Sequence, residues 1–292
     1  MRPIALILLL LATVAAQAQP EPSAATTRAQ VDSLLWESGL LRFLNAEIAR
    51  VEIEMLSGAS ELPGYLAGPV YDRIEVLFKP AQIHDRLTDF MVAHADTDSL
   101  ARALALVREP LVARVVRMEQ EANRASWTDS TAWPVFEEAW AALAPKDRVR
   151  REALIGRFDD VTQSSVWVRS LEQIIAEAFI EGMVLGVGAE HEDFRARMYA
   201  YRADLPLTPQ DEVEVLIRQS SAFTYQDLSD EEVQTFTDLM GSAIGQWNLT
   251  VRRAALGWAF REAVLDVGQR AGEAMRTMMG DKPGGALGVT DA

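Results

Sequence analysis

A chain of 292 residues without a cysteine excludes disulfide staples, thiol catalysis and the lipid-modified cysteine of a bacterial lipoprotein, and at this length it can bury a large core without them. Its 28 basic and 43 acidic residues leave a formal charge of −15 with no basic stripe, which argues against a nucleic-acid partner. Only Lys79, Lys146 and Lys282 are lysines; the acidic, lysine-poor balance fits a saline habitat and a GC-rich genome equally.

Arg2 stands ahead of the apolar run Ile4 to Ala16, and Ala16-Gln17-Ala18 supplies a small-x-small site. Residues 1–18 are therefore expected to be a secretory signal peptide cleaved before Gln19. The run falls short of the roughly 18 apolar residues that a membrane anchor needs. Further on, Arg169, Glu172, Glu177 and Glu181 interrupt the greasiest stretch, so no membrane span is expected after cleavage and the mature chain is expected in the periplasm or outside the cell. Residues 19–27 read as a flexible leader and 280–292 as a flexible tail.

From residue 28 the apolar spacing is helical, with no alternating run and no hairpin signal. Val31, Leu34 and Leu35 mark a first helix interrupted by Gly39, and Leu40, Leu41, Leu44, Ile48, Val51 and Met55 a second, ended by Ser57-Gly58. Pro69 opens a helix with Tyr71, Ile74, Leu77 and Phe78, and Pro80 one with Ile83, Leu87, Phe90 and Met91. Asp96 or Asp98 caps the segment from Leu100 to Met118, which Pro110 should kink or split. A polar link, a short helix with Phe136 and Trp140, and Pro145 follow. The helix from Val166 to Val187 is apolar nearly all round and is expected to be central and buried, with Gly182 and Gly186 allowing a second helix to approach closely.

The expected architecture is all-α, a helical bundle or short helical array built from two similar halves of four to five helices each. At a spacing of 127 residues Leu41 pairs with Val168, Ile48 with Ile175 and Glu54 with Glu181; at 133, Leu100 pairs with Val233, Val107 with Met240 and Leu111 with Ile244. Such matches also arise between unrelated amphipathic helices. The units are placed at 28–124 and 148–279, with residues 125–147 as a linker carrying a short helix.

The stretch Asp227-Leu228-Ser229-Asp230-Glu231-Glu232-Val233, running through Phe236, Leu239 and Met240 to Gly241-Ser242-Ala243-Ile244-Gly245-Gln246, resembles the second half of a family of exported bacterial helical proteins known only as a domain of unknown function. In that family an (S/T)xEE helix start leads to a Ser-Pro-x-Gly-Gln bend, and Leu34-Leu35-x-x-Ser38-Gly39-Leu40 resembles its opening LLxxxGL helix. Ala243 stands where the family favours proline, while Pro110 in the first half lacks the glycines. The resemblance implies two tandem copies of an all-helical, periplasmic fold with no known activity. Read locally, Ser229 and Glu232 form a capping box.

Reactive constellations are scarce. His84 and His94 point about 280° apart on one helix, and His191 in Glu190-His191-Glu192-Asp193 lacks the i, i+4 partner of a helical zinc site. Gly186-Val187-Gly188 follows no strand, and no serine occupies a nucleophile elbow. No catalytic residue, metal site or cofactor is therefore assigned. Trp127, Trp133 and Trp140 cluster near the junction of the halves, either lining a groove for a ligand or gluing the halves together. Glu177 and Glu181 on the apolar helix are the carboxylates with a claim to acid/base work, against the alternative of arginine ion pairs or a solvated edge. The leading expectation is a non-catalytic exported protein that binds another envelope component; the rival is a small-ligand binder or hydrolase with a pocket between the halves, using those tryptophans and a buried acid.

Overall fold

The computed structural model describes residues 24–41, 44, 79–205 and 207–279, except for the side chains at 24–26, 126 and 127. The expected signal peptide, most of the leader, the Pro69 helix, the tail and most of the helix from Leu40 to Met55 lie outside the described residues. Within them the chain is all-α, with eleven helices and no strand. These are α1 (Ala24–Glu37), α2 (Pro80–His94), α3 (Thr97–Val107), α4 (Pro110–Thr128), α5 (Ala132–Ala142), α6 (Pro145–Thr162), α7 (Ser164–Val187), α8 (Glu192–Ala203), α9 (Gln210–Thr224), α10 (Asp230–Gly241) and α11 (Ala243–Met279).

Local chemistry sets most boundaries. Proline takes the first turn of α2, α4 and α6, where its missing N–H has no helical partner to lose. Pro110 splits the long segment instead of kinking it, so α3 ends at Val107 and α4 starts afresh. The Asp96 carboxylate accepts from the Ser99 amide at 2.8 Å, and Ser229 and Glu232 close a full capping box on α10. Between α6 and α7, Gln163 adopts a left-handed φ of 54°. The buried Asp159 holds that junction, accepting from the Ser165 amide at 2.9 Å and the Ser165 hydroxyl at 2.8 Å.

The most extensive helix contact is between α7 and α11, which run parallel. Gly182 and Gly186 lie over the backbone of α11 at Leu265–Glu273, and Gly268 and Gly272 lie over α7 at Phe179 and Met183. A Cβ at any of the four would fall on a carbonyl oxygen of the other helix. The glycine stripe of α7 thus meets a second stripe of the same spacing on α11. One part of the expectation for α7 fails: Val166 and Val168 remain 46% and 41% exposed. The glycine face is buried against α11, and α8 and α9 cover only part of the remainder.

Two hydrophobic cores form around this pair. The first joins α1, α2 and α3 to α11, with Leu34, Leu35, Ile83, Leu87 and Leu100 fully enclosed. The second joins α4, α5, α6, α9 and α10, with Val115, Ile155, Phe223 and Phe236 at its centre. Neither core keeps to one of the stretches 28–124 and 148–279, since α11 completes the first and α4 contributes to the second.

Positions recur. Val31, Leu34, Leu35 and Ser38 are buried, and so are Ile155, Phe158, Asp159 and Thr162, each 124 residues later; Gly39 and Gln163, at the same spacing, share positive φ. This register falls three residues short of the 127 suggested by apolar matching. At a spacing of 133, the caps Asp96 and Ser229 coincide, as do buried Leu100 and Val233, Ala103 and Phe236, Leu104 and Thr237, and Val107 and Met240. Pro110 and Ala243 then open α4 and α11. Contacts follow the same pattern: α1 packs on α2 and α3, α6 on α9 and α10; α11 packs on α2 and α3, α4 on α9 and α10.

The glycine contact yields a direct expectation. Gly186→Ala should lower the unfolding free energy by about 1–3 kcal/mol or more through overpacking. Gly156→Ala on α6, where only the Arg218 guanidinium carbon comes within 4.0 Å, should be neutral or stabilising by up to about 1 kcal/mol. Denaturant midpoints compared with the parent check both.

Candidate functional site

The residues singled out in the sequence are mostly engaged with their neighbours. Trp127 lies on α4, but its side chain is outside the described residues. Trp133 and Trp140 flank Phe136 on α5, each with its ring centroid 5.5 Å from that ring, and Trp133 also meets Phe223 of α9 at 5.1 Å. The Trp133 indole donates to Glu137 at 3.0 Å. The two tryptophans therefore come together as packed rings on the second core.

Glu177 accepts from Gln173 at 2.7 Å and pairs with Arg202 of α8. These two hydrogen bonds, Gln173 first, hold its carboxyl below the usual range. Glu181 pairs with Arg261 of α11 at 2.8 Å. Both carboxylates thus fasten α7 to its neighbours, and the lowered Glu177 carboxyl is opposite to the raised affinity for a proton that a general acid needs.

A different acid has that property. Glu119 on α4 accepts from the Tyr225 hydroxyl at 2.7 Å, in the turn between α9 and α10. Burial raises the affinity of Glu119 for its proton, against the opposing pulls of the Tyr225 hydrogen bond and the Arg252 charge. Burial, followed by the Glu119 charge, likewise holds the Tyr225 phenol well above its ordinary value. Burial lowers Arg252, and with the Arg252 charge it lowers Arg253 to about 10. Arg253 also stands over the Trp167 ring at 5.9 Å. Near them on α11, Asn248 is 2% exposed. Its Oδ1 and the Nε of Arg252 are buried without a hydrogen-bond partner among the described residues.

A second network ties down the same turn. Arg151 is 8% exposed; it donates to the Tyr225 carbonyl and to Asp230 at 3.0 Å, and Arg150 also pairs with Asp230. The Tyr225 ring packs edge-on against Phe158 at 5.3 Å. Tyr225 is thus fixed at its backbone by one arginine and at its hydroxyl by Glu119. Glu119 and Arg252 share the spacing of 133 positions, but nothing in the sequence marks their meeting with Tyr225.

Elsewhere, Arg86, Trp258, Glu262, Leu265, Asp266 and Gln269 line an open depression of about 300 Å³ between α2 and α11, away from Trp133 and Trp140. His84 lies 3.4 Å from Asp32 of α1, and His94 stacks on Phe90 at 4.3 Å. Among the described residues no three His, Cys, Asp or Glu side chains gather as a metal site, and no helix is long and apolar enough to cross a membrane. No family model, curated protein or solved structure matches the chain.

The raised carboxyl makes a signed prediction. A folded-state value above the unfolded 4.5 gives a contribution fully present below pH 4.5 and lost as pH rises through the folded value. Glu119→Gln keeps an acceptor for Tyr225 and lacks this titration. Its stability relative to the parent should therefore rise between pH 4 and pH 7, as followed by denaturant unfolding at each pH; a difference that falls over that interval would contradict the assignment.

Proposed function

We propose that this is an exported, non-catalytic helical protein, built from two copies of one helical unit, that binds another protein of the cell envelope. Duplication is supported by the recurrence of caps, buried positions and breaks at spacings of 124 and 133, and by the exchange of the final helices, α4 and α11, between the units. Export rests on the signal-like pattern of residues 1–18, and membership of the exported helical family on the likeness at residues 34–40 and 227–246.

One contrast carries the binding role. The carboxylates of Glu177 and Glu181 are taken up by arginines. On α7, α8 and α9, Val166, Val168, Tyr199, Tyr201, Val215 and Leu216 expose 41–60% of their surface. These three helices carry about half of the exposed large apolar side chains among the described residues, and exposed apolar surface favours association over chemistry. A photo-crosslinking residue at Leu216, introduced in the native host, should give a discrete adduct in the envelope fraction, with the mature chain starting at Gln19. An adduct no stronger than that from the exposed Glu152 position would remove the binding role, and an uncut chain retained in the cytoplasm would remove export.

A small-ligand site or hydrolase is the second reading, favoured by the raised Glu119 carboxyl beside Tyr225 and Arg252. The two are separable with one substitution. Glu119→Gln should leave the Leu216 adduct intact if a protein partner is bound, whereas a ligand site at Glu119 requires that this variant lose any co-purifying small molecule.

A further inference from the structure

Helix α5 has a single buried residue, Phe136, with Trp133 and Trp140 half-buried on either side. Its hold on the molecule is aromatic. Phe136 meets Phe223 edge-on at 5.4 Å, and Trp133 meets the same ring at 5.1 Å. Its polar bonds stay local: Trp133 donates to Glu137, and the backbone bonds at its ends run to Thr131 and Trp140. Among the described residues, no side chain of α5 forms a hydrogen bond or ion pair with another helix.

Other helices are fastened differently. Arg28 to Asp89 and Arg108 to Glu37 tie α1 to its neighbours, while Arg157 to Asp238 and the Asp230 arginines tie α6 to α10. At the two ends of α5, Asp129 and the pair Leu143-Ala144 have extended backbone, and residues 141–146 are exposed. With 11 residues, α5 is too short to stay helical alone, since isolated helices below about 12–15 residues are marginal in water.

We infer that α5 is a latch that detaches as a unit from Phe223, pivoting at Asp129 and at Leu143-Ala144, while the first core and the rest of the second stay folded. Detachment melts α5 and bares Phe223 and the adjoining apolar surface of α4. Latch opening does not depend on the envelope-binding reading, because it concerns only the order in which parts of the fold open.

Hydrogen exchange on the full chain decides it. The α5 amides should exchange roughly 100-fold faster than those of α7 and α11, with little dependence on denaturant, as local opening requires. Exchange of α5 in step with α7 and α11, with the same steep denaturant dependence, overturns the latch. Phe136→Ala should abolish the remaining α5 protection and leave α7 and α11 unchanged. Loss of protection in all three helices, or failure of that variant to fold, counts against the proposal, and exchange in the parent protein separates the two outcomes without any variant.

Discussion

The close approach of α7 and α11 is the constraint on which the rest of the structure hangs. Each helix presents two glycines one turn apart, and each glycine receives a carbonyl of the other helix where a side chain would stand. Contacts of this kind gain little from apolar area and much from backbone proximity, including Cα–H to carbonyl interactions. They also fix rotation and register at once, because only one face of each helix lacks Cβ atoms. With 37 residues α11 is about 55 Å long at 1.5 Å per residue, so fixing it against α7 orients a rod that α2 and α3 use as a wall.

From that pair outward, packing divides the labour by side-chain size. Small residues serve the α7 and α11 seam; aliphatic side chains of α1, α2 and α3 fill the first core, and rings dominate the second, where Phe158, Tyr225 and Phe236 meet within 6.0 Å of one another. Charged groups sit mainly at the joins between helices. The arginines on α6 and α8 and at the end of α3 reach carboxylates on other helices, so part of the chain's scarcer basic charge goes into cross-ties between helices.

What was legible in the sequence was local. Pro80, Pro110 and Pro145 open helices because their geometry acts within one turn, and Asp96 and Ser229 cap because the acceptor and amide are three residues apart. Gly182 and Gly186 announced a close approach, but not its partner, although Gly268 and Gly272 share the spacing. Apolar matching suggests a spacing of 127 for the first half, whereas the left-handed residues Gly39 and Gln163 lie 124 apart, because apolar periodicity does not register where a helix must end. The cluster at Glu119 was invisible for a plainer reason. Its acid lies 106 residues from the Tyr225 hydroxyl, and nothing near either residue in the chain marks the meeting.

Glu119 and Arg252 occupy matching places in α4 and α11, on the duplicated reading. Were the two units separate identical subunits around a twofold axis, a residue at that place would face its own kind, and two acids or two arginines would repel each other away from water. Joining the units in one polypeptide lets the matching places mutate separately, so that a self-repelling position becomes an attractive pair. On that reading the pair would also fix which unit plays which part, since two copies of either one alone would bring like charges together.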